Sequence, residues 1–271
     1  MSSSTIIDVL STMKNDYEQA IVSGGRTAAT SLIRSQALVG HLHEYVKQEL
    51  ISNGISPSKI WPPVGSCNPE KKFSGFFKQK DQDISILNGY DIPETMTDGA
   101  TAGKIDKIGM ASSSQAISIN VRGQLSSIGK NFDTLYERTF AEALNLHMRI
   151  PKLVMGELYY LPLVAYDPDE MLNNNVQWKE QLPSYFIPSF TAINGRTENT
   201  DLYKYERVCL LIVDFRNDPP TIVTENDLVG EGIITEDQTT THTLQNMSIT
   251  NFVEDLLDIY TQRHGSLQEL Q

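Results

Sequence analysis

Two long apolar stretches limit the folds that this chain can adopt. Residues 152–166 and 205–215 are largely hydrophobic, and the second is nearly continuous. Residues 152–166 are predicted as a long strand or strand pair, in which Pro162 marks an edge or a bend. A strand like residues 205–215 is of the kind buried on both faces, as in a sheet that helices cover on both sides. Because helical spacing precedes and follows these stretches, the sequence predicts an α/β fold with a mixed central β-sheet flanked by helices.

Helices are predicted at both ends of the chain. Residues 6–22 carry apolar side chains at helical spacing, and Gly24-Gly25 is expected to end that helix. A second helix is predicted over residues 27–52. A third is expected over residues 249–265, where the pattern Asn-x-x-Glu at its start is typical of a capping box. The sequence therefore predicts N-terminal and C-terminal helices around a central core.

No internal repeat or convincing linker divides the chain. We therefore expect residues 1–271 to form a single domain, with N-terminal helices over 1–55, a core over 73–215 and a C-terminal helix over 249–265. A hydrophobic content of 39% and a charged content of 21% fit a globular protein. Two cysteines in a chain of this length cannot form a disulfide framework.

The charge balance constrains the partners. With 22 basic and 34 acidic residues the net charge is −12, which disfavours loose, sequence-blind binding to nucleic acid. A narrow basic cleft on an otherwise acidic surface is compatible with this net charge. No secretory signal and no apolar run of the roughly 18 residues that cross a bilayer is present, so we expect no membrane partner and a soluble, cytoplasmic protein.

Acidic and basic side chains concentrate between the terminal helices. Residues 78–87 are predicted as one charged strand, on which Asp81 and Asp83 share a face because side chains alternate along a strand. After a long polar connection over residues 88–115, a second strand over 116–124 places Asn120 and Arg122 on one face. A polar loop and an amphipathic helix over residues 133–148 follow.

This order of elements resembles the PD-(D/E)XK nucleases, and within them the type II restriction endonucleases. The matching segments are residues 76–87 and 117–147, about a quarter of the chain. In that family the second strand normally carries Glu-x-Lys or Asp-x-Lys, and here it carries Asn120-x-Arg122. The resemblance implies a restriction-endonuclease-like core in a homodimer that binds double-stranded DNA, requires Mg²⁺ and cuts both strands at a short site.

The resemblance also implies roles for individual residues. Asp83, helped by Asp81, would hold the metal, because carboxylate oxygens are ligands for Mg²⁺. Asn120 would be a weak ligand or hold a water. Arg122 would bind the phosphate, since a guanidinium cannot act as a base. Some relatives move the motif glutamate to the following helix, so Glu137, or else Glu142, is expected to supply a carboxylate.

A DNA-binding surface is expected around these residues. Its candidates are the basic strand edge and the polar loop before the helix, because helix N-termini bind phosphate well: Lys78, Lys80, Gln124, Ser126, Ser127, Lys130 and Asn131.

Simpler interpretations stand beside these roles. Glu137 follows Thr134 by three positions and could complete a capping box. Asp83 and Arg122 could form a structural ion pair, and Asn120 could be a buried polar residue bonded to the backbone. The chain would then be a catalytically degenerate nuclease fold that binds DNA or a protein. An acidic interaction protein unrelated to DNA is a further alternative.

Overall fold

The computed structural model describes residues 4–197 and 200–271. Within these ranges seven α-helices occur, listed here in chain order: α1 (Ile6–Arg34), α2 (Ala37–Ser52), α3 (Met110–Ser114), α4 (Phe132–Arg149), α5 (Phe186–Ala192), α6 (Glu225–Gly230) and α7 (Phe252–His264). The strands are β1 (Ile60–Trp61), β2 (Lys71–Ser74), β3 (Gln79–Gln82), β4 (Ile84–Ile86), β5 (Glu94–Thr95), β6 (Ile105–Asp106), β7 (Ile117–Gly123), β8 (Val154–Pro162), β9 (Val164–Tyr166), β10 (Trp178–Gln181), β11 (Arg207–Asp214) and β12 (Thr221–Ile222).

Six strands form the central sheet in the order β1-β4-β7-β8-β11-β12. The three middle strands β7, β8 and β11 run parallel, whereas the outer pairs are antiparallel. Every residue of β8 is buried, and so is every residue of β11 after Arg207. The predicted α/β class with a mixed sheet flanked by helices is therefore confirmed, and so is the double burial expected of residues 205–215.

Helices cover both faces of this sheet. Helices α1, α2 and α7 contribute to one buried cluster together with Ile119 and Leu158. Helices α4 and α5 contribute to the other, together with Met155 and Tyr159. Consecutive residues of β8 thus serve opposite faces, as the pleat requires. On β8, Gly156 permits close packing of α7, because a Cβ there would lie 2.8 Å from a methyl carbon of Leu256.

An ion network lies where the chain enters β11. The fully buried Glu206 accepts hydrogen bonds from Arg196 (2.6 Å), Arg263 (2.8 Å) and the backbone N–H of Met155 (2.7 Å). The Nε2 atom of His147 lies 3.4 Å from the same carboxylate. Burial alone would raise the pKa of Glu206, but His147 and the two arginines lower it to about 2. The network therefore joins α4, α7 and two strands through one ionised carboxylate.

The first N-terminal helix stops where predicted, whereas the second is divided. Gly24 and Gly25 both leave the helical conformation, so α1 consists of two helical stretches on either side of them, and the second stretch ends at Arg34. Gly25 has a φ of +58°, and a Cβ there would lie 2.6 Å from the carbonyl oxygen of Met171. The glycines therefore serve a close contact with a neighbouring segment. A second break falls at Gln36, which is in the left-handed conformation, so the helix predicted over residues 27–52 is divided and α2 begins at Ala37.

Two predicted capping boxes are wrong. Helix α4 begins at Phe132, two residues before Thr134, so Thr134 and Glu137 both lie inside it. Helix α7 begins at Phe252 as expected, but the side chain of its N-cap Asn251 makes no capping hydrogen bond. No helix of residues 4–197 and 200–271 has the length and apolar character that crossing a bilayer demands.

Candidate functional site

The predicted charged strand over residues 78–87 is broken at Asp83. Residues before the break form β3, which pairs with β2 outside the central sheet, and residues after it form β4 of the central sheet. One continuous strand was therefore the wrong prediction. The break falls at the point where the chain changes sheets, which puts Asp83 at the edge of the β4–β7 pair.

Asp83 lies beside the strand that carries Asn120 and Arg122. Its Oδ2 atom accepts a hydrogen bond from the backbone N–H of Val121 at 2.7 Å. In the register of β4 and β7, Ile84 pairs with Ile119, so the next step of that register brings Asp83 level with Asn120. The residues predicted for the site from two separate segments thus meet at one place in the fold.

Asp81 is engaged differently. It is exposed on β3, and its carboxylate lies 3.4 Å from the ammonium of Lys72 on β2. The bend at Asp83 separates the two strands that carry these carboxylates. Asp81 therefore has a cationic partner of its own, whereas Asp83 is held by the central sheet.

Arg122 is the centre of the site. Its NH2 lies 2.9 Å from Oε2 of Glu142 on α4, and its NH1 lies 3.2 Å from Oε1 of Glu157 on β8. The NH1 group also donates to Oγ1 of Thr139 at 3.2 Å. Among the described residues no ion pair joins Arg122 to Asp83. Burial alone would lower the pKa of Arg122, but Glu157 and the other acidic groups around it raise the pKa.

Glu142 is the helix carboxylate that reaches the two strands. Its Oε1 accepts hydrogen bonds from Gln82 (2.7 Å) and from Nδ2 of Asn120 (3.2 Å), and its Oε2 contacts Arg122 and the ammonium of Lys80. Burial acts to raise the pKa of Glu142, but Arg122 and Lys80 outweigh it and the pKa is lowered. Glu142 is therefore ionised and fully supplied with donors.

Glu157 is a member of the site that the sequence reasoning missed. It pairs with Asn120 in the register of β7 and β8, so the two side chains lie side by side. Burial raises its pKa to about 8 despite the nearby Arg122. At neutral pH Glu157 is therefore largely protonated. The available signal was a single carboxylate within the apolar stretch over residues 152–166.

Together these residues form one connected group, called here the Arg122 cluster: Asp83, Asn120, Arg122, Glu142 and Glu157. With Glu157 protonated, the carboxylates of Asp83 and Glu142 are balanced by Arg122 and the adjoining Lys80. Burial raises the pKa of Asp83, partly offset by His43, the Val121 N–H and Arg122. His43 was also missed by the sequence reasoning. It is buried on α2, and its ring nitrogens make no hydrogen bond with any described residue.

The remaining predicted residues surround the cluster. Glu137 is exposed on α4, and within the described ranges it makes no hydrogen bond or ion pair with Asn120 or Arg122. Lys78 is exposed, whereas Lys80 is paired with Glu142. The loop between β7 and α4 is anchored by a hydrogen bond from Gly129 N–H to Glu180 at 3.0 Å. Its predicted DNA-binding residues are half-buried (Gln124, Ser126 and Ser127) or exposed (Lys130 and Asn131).

The side chains that could coordinate a metal ion at this site are few. In the described part of the chain, no group of three or more His, Cys, Asp or Glu side chains is arranged to hold an ion. The Oδ1 atoms of Asp83 and Asn120 accept no hydrogen bond from a described residue, so two oxygen ligands are free. Mg²⁺ is commonly held by one or two protein ligands together with waters and substrate phosphates. Asp83 and Asn120 alone are too few for a closed metal site, so a Mg²⁺ ion bound there would need waters and substrate phosphates as its further ligands.

Comparison with known proteins gives no match to a protein-family model, to a curated protein or to a solved structure. The function must therefore be inferred from the geometry and charge of the cluster.

Proposed function

We propose that this chain is a type II-like restriction endonuclease that hydrolyses phosphodiester bonds at a specific site in double-stranded DNA with Mg²⁺. The observation that supports the proposal is the position of Asp83. Its carboxylate lies 2.7 Å from the backbone nitrogen of Val121, the residue between Asn120 and Arg122. A carboxylate, an amide and a guanidinium thus converge where a phosphodiester could approach the edge of the β4–β7 pair.

Each residue then has a definite task. Asp83 and Asn120 would hold Mg²⁺, which when bound neutralises the phosphate and acidifies a water. Arg122, whose side chain is 27% exposed, would stabilise the negative charge that develops on the phosphate. Glu142 fixes the guanidinium through the 2.9 Å contact, so that its position is set before substrate binds.

Cutting both strands of a duplex requires two such sites, and a homodimer with twofold symmetry is the simplest assembly that supplies them. We include that dimer in the proposal, together with action in the cytoplasm, where cellular DNA is accessible.

The test is incubation of the purified chain with unmethylated plasmid and phage DNA, with Mg²⁺ or with EDTA, followed by gel electrophoresis. We expect discrete fragments in Mg²⁺ and none in EDTA. Intact DNA in both Mg²⁺ and Mn²⁺, on methylated as well as unmethylated substrates, would refute the nuclease proposal. Fragments without discrete sizes would refute its site specificity.

A second candidate is a catalytically degenerate fold that binds DNA or a protein without cutting. The observation that favours it is the full set of donors around Glu142, because a carboxylate with two cations and two amides has little capacity left for a metal. This candidate predicts saturable, salt-sensitive binding of duplex DNA, or binding of a protein, with no cleavage in either metal.

A further inference from the structure

A cavity of about 240 Å³ opens beside the Arg122 cluster, between β3 and the first half of α4. It is lined by the following side chains: Lys78, Lys80, Glu137, Arg138, Ala141 and Glu142. Two of them, Lys80 and Glu142, also bond to each other within or next to the cluster. The cavity therefore adjoins the cluster through Lys80 and Glu142, whereas Arg122 itself lines a different cavity.

Two cations of this cavity have no partner among residues 4–197 and 200–271. Lys80 is paired with Glu142, but the ammonium of Lys78 and the guanidinium of Arg138 make no hydrogen bond or ion pair with a described residue. Because Glu142 is neutralised by Lys80 and Arg122, Glu137 is the one uncompensated anion on the wall. The cavity thus has net positive character on a chain whose net charge is −12. Such a local reversal of charge favours the binding of a polyanion in this cavity.

The main chain of Lys78 is fixed relative to α4. Asn145 on that helix accepts hydrogen bonds from the backbone N–H groups of Phe77 (2.7 Å) and Lys78 (3.0 Å) and donates one to the carbonyl of Lys78 (2.9 Å). A Cβ at Gly75 would lie 2.2 Å from the amide nitrogen of Asn145, so this turn fits closely against the helix. Arg138 lies two helical turns before Asn145. The backbone positions that carry the two cations are therefore fixed relative to each other.

We infer that Lys78 and Arg138 form a phosphate clamp that holds the backbone of a DNA strand beside the Arg122 cluster. This inference rests on the proposed function and extends it by naming where the substrate strand lies and by adding Arg138 to the site. Phosphate contacts fix the register of a duplex without reading its sequence. Lys80 is a positioning residue for Glu142, because its charge is already used within the protein.

The experiment compares a double variant, Lys78→Ala with Arg138→Ala, with a charge-matched control, Arg26→Ala with Lys152→Ala. All four side chains belong to exposed residues, and the control pair lies outside the cavity. Binding of the full-length proteins to two unrelated duplexes of about 30 base pairs is measured in EDTA over salt concentrations of about 0.05–0.5 M. Circular dichroism melting checks that all variants are folded.

Counterion release sets the expected size of the effect. Each lost phosphate contact lowers the slope of log K against log salt by about 0.9, so two contacts lower it by about 1.8. Extrapolated from 1 M to 0.1 M salt, that corresponds to a loss of affinity of roughly 60-fold. We expect this loss on both duplexes, with the control variant within about threefold of wild type.

The possible failures are distinguishable. If the wild type binds and cuts DNA but the clamp variant keeps its salt slope, the clamp is refuted and the proposed function stands. If the control variant loses as much affinity as the clamp variant, the effect is one of net charge, and the clamp is again refuted. If the wild type binds no duplex at any salt concentration, the clamp is refuted, and the cleavage assay in Mg²⁺ and Mn²⁺ decides the proposed function separately.

Discussion

Substituting Asp83→Asn separates catalysis from folding at this site. Asparagine has the same shape and keeps an oxygen that accepts the hydrogen bond from Val121 N–H, which measures 2.7 Å in the structure. The change removes only the negative charge. Because burial raises the pKa of Asp83, the ionised form is less favourable in the folded protein than in the unfolded chain. The contribution of this group to stability is present below the unfolded pKa and is lost as pH rises through the folded pKa.

The magnitudes follow from these two effects. Replacing a hydrogen bond to a charged group by a neutral hydrogen bond lowers the free energy of unfolding by about 1 kcal/mol. Removing the buried negative charge has the opposite effect on stability. We therefore expect the melting temperature at pH 7.5 to change by less than about 3 °C. Loss of the charged metal ligand removes several kcal/mol of transition-state stabilisation, so the cleavage rate should fall at least about 100-fold.

The assay is single-turnover cleavage of unmethylated plasmid in Mg²⁺, with calorimetric melting of the same samples. Asp81→Asn is the matched control, because it makes the same chemical change two residues away on an exposed side chain paired with Lys72. We expect the control to retain activity within about fivefold. Cleavage by the Asp83→Asn variant at the wild-type rate would remove Asp83 from the mechanism. A melting temperature lowered by more than about 6 °C would show that the reasoning about its buried charge is wrong.

Three further substitutions test the charges of the interior. Arg122→Ala should lower the melting temperature by about 6 °C, corresponding to about 3 kcal/mol, because the buried Glu142 loses one of its two cations and the buried Glu157 loses a hydrogen-bond donor. An unchanged melting curve would contradict this. The Glu157→Gln variant should become more stable relative to wild type as pH rises from about 4.5 to about 8, because over that range the wild-type carboxyl group ionises only in the unfolded chain. If the free energies of unfolding of the two proteins run parallel against pH, the raised pKa of Glu157 is refuted. Glu206→Gln should lower the free energy of unfolding by at least about 3 kcal/mol at pH 7. This difference from wild type should shrink as pH falls from about 4.5 towards 2, where the native carboxylate is protonated. A difference that stays constant with pH in urea melts would exclude an ionised Glu206.

The parts of the fold that were predictable from sequence are those in which one local pattern dominates. Residues 208–213 are apolar without interruption, and β11 is buried as that pattern indicated. The amphipathic spacing over residues 133–148 gave α4 to within one residue at each end. In both segments the hydrophobic pattern is long enough to outweigh local preferences for turns or caps.

Boundaries set by tertiary contacts were not predictable. The interruption at Gly24-Gly25 was predictable from the local sequence, but the second interruption, at Gln36 in the left-handed conformation, was not. The break at Asp83 arises because β3 and β4 join different sheets, and no residue in that segment is a strong strand breaker. Pairing with a partner strand decides such cases, and a single sequence does not reveal the partner.

The strand residues of the candidate site were predictable from the sequence, but the side chains that they contact were predicted only in part. Asn120 and Arg122 share a face because of strand alternation alone, and both bond to Glu142 as a result. Glu157 joins them only through the register of β7 and β8, which pairs residues 37 positions apart. That register depends on the packing of the whole sheet, so its carboxylate looked from the sequence like an isolated polar residue in an apolar strand.

The parallel arrangement of β7, β8 and β11 also dictates the order in which the molecule can assemble during synthesis. Strand β8 needs hydrogen-bonding partners on both sides, and its second neighbour, β11, begins at Arg207. Until that segment has left the ribosome, one edge of a wholly buried strand stays open to pairing with other chains. Adjacent parallel strands close long loops and form slowly. The nascent chain therefore passes through an interval in which a wholly buried strand is half-paired, which makes its yield sensitive to chaperones and to the rate of translation.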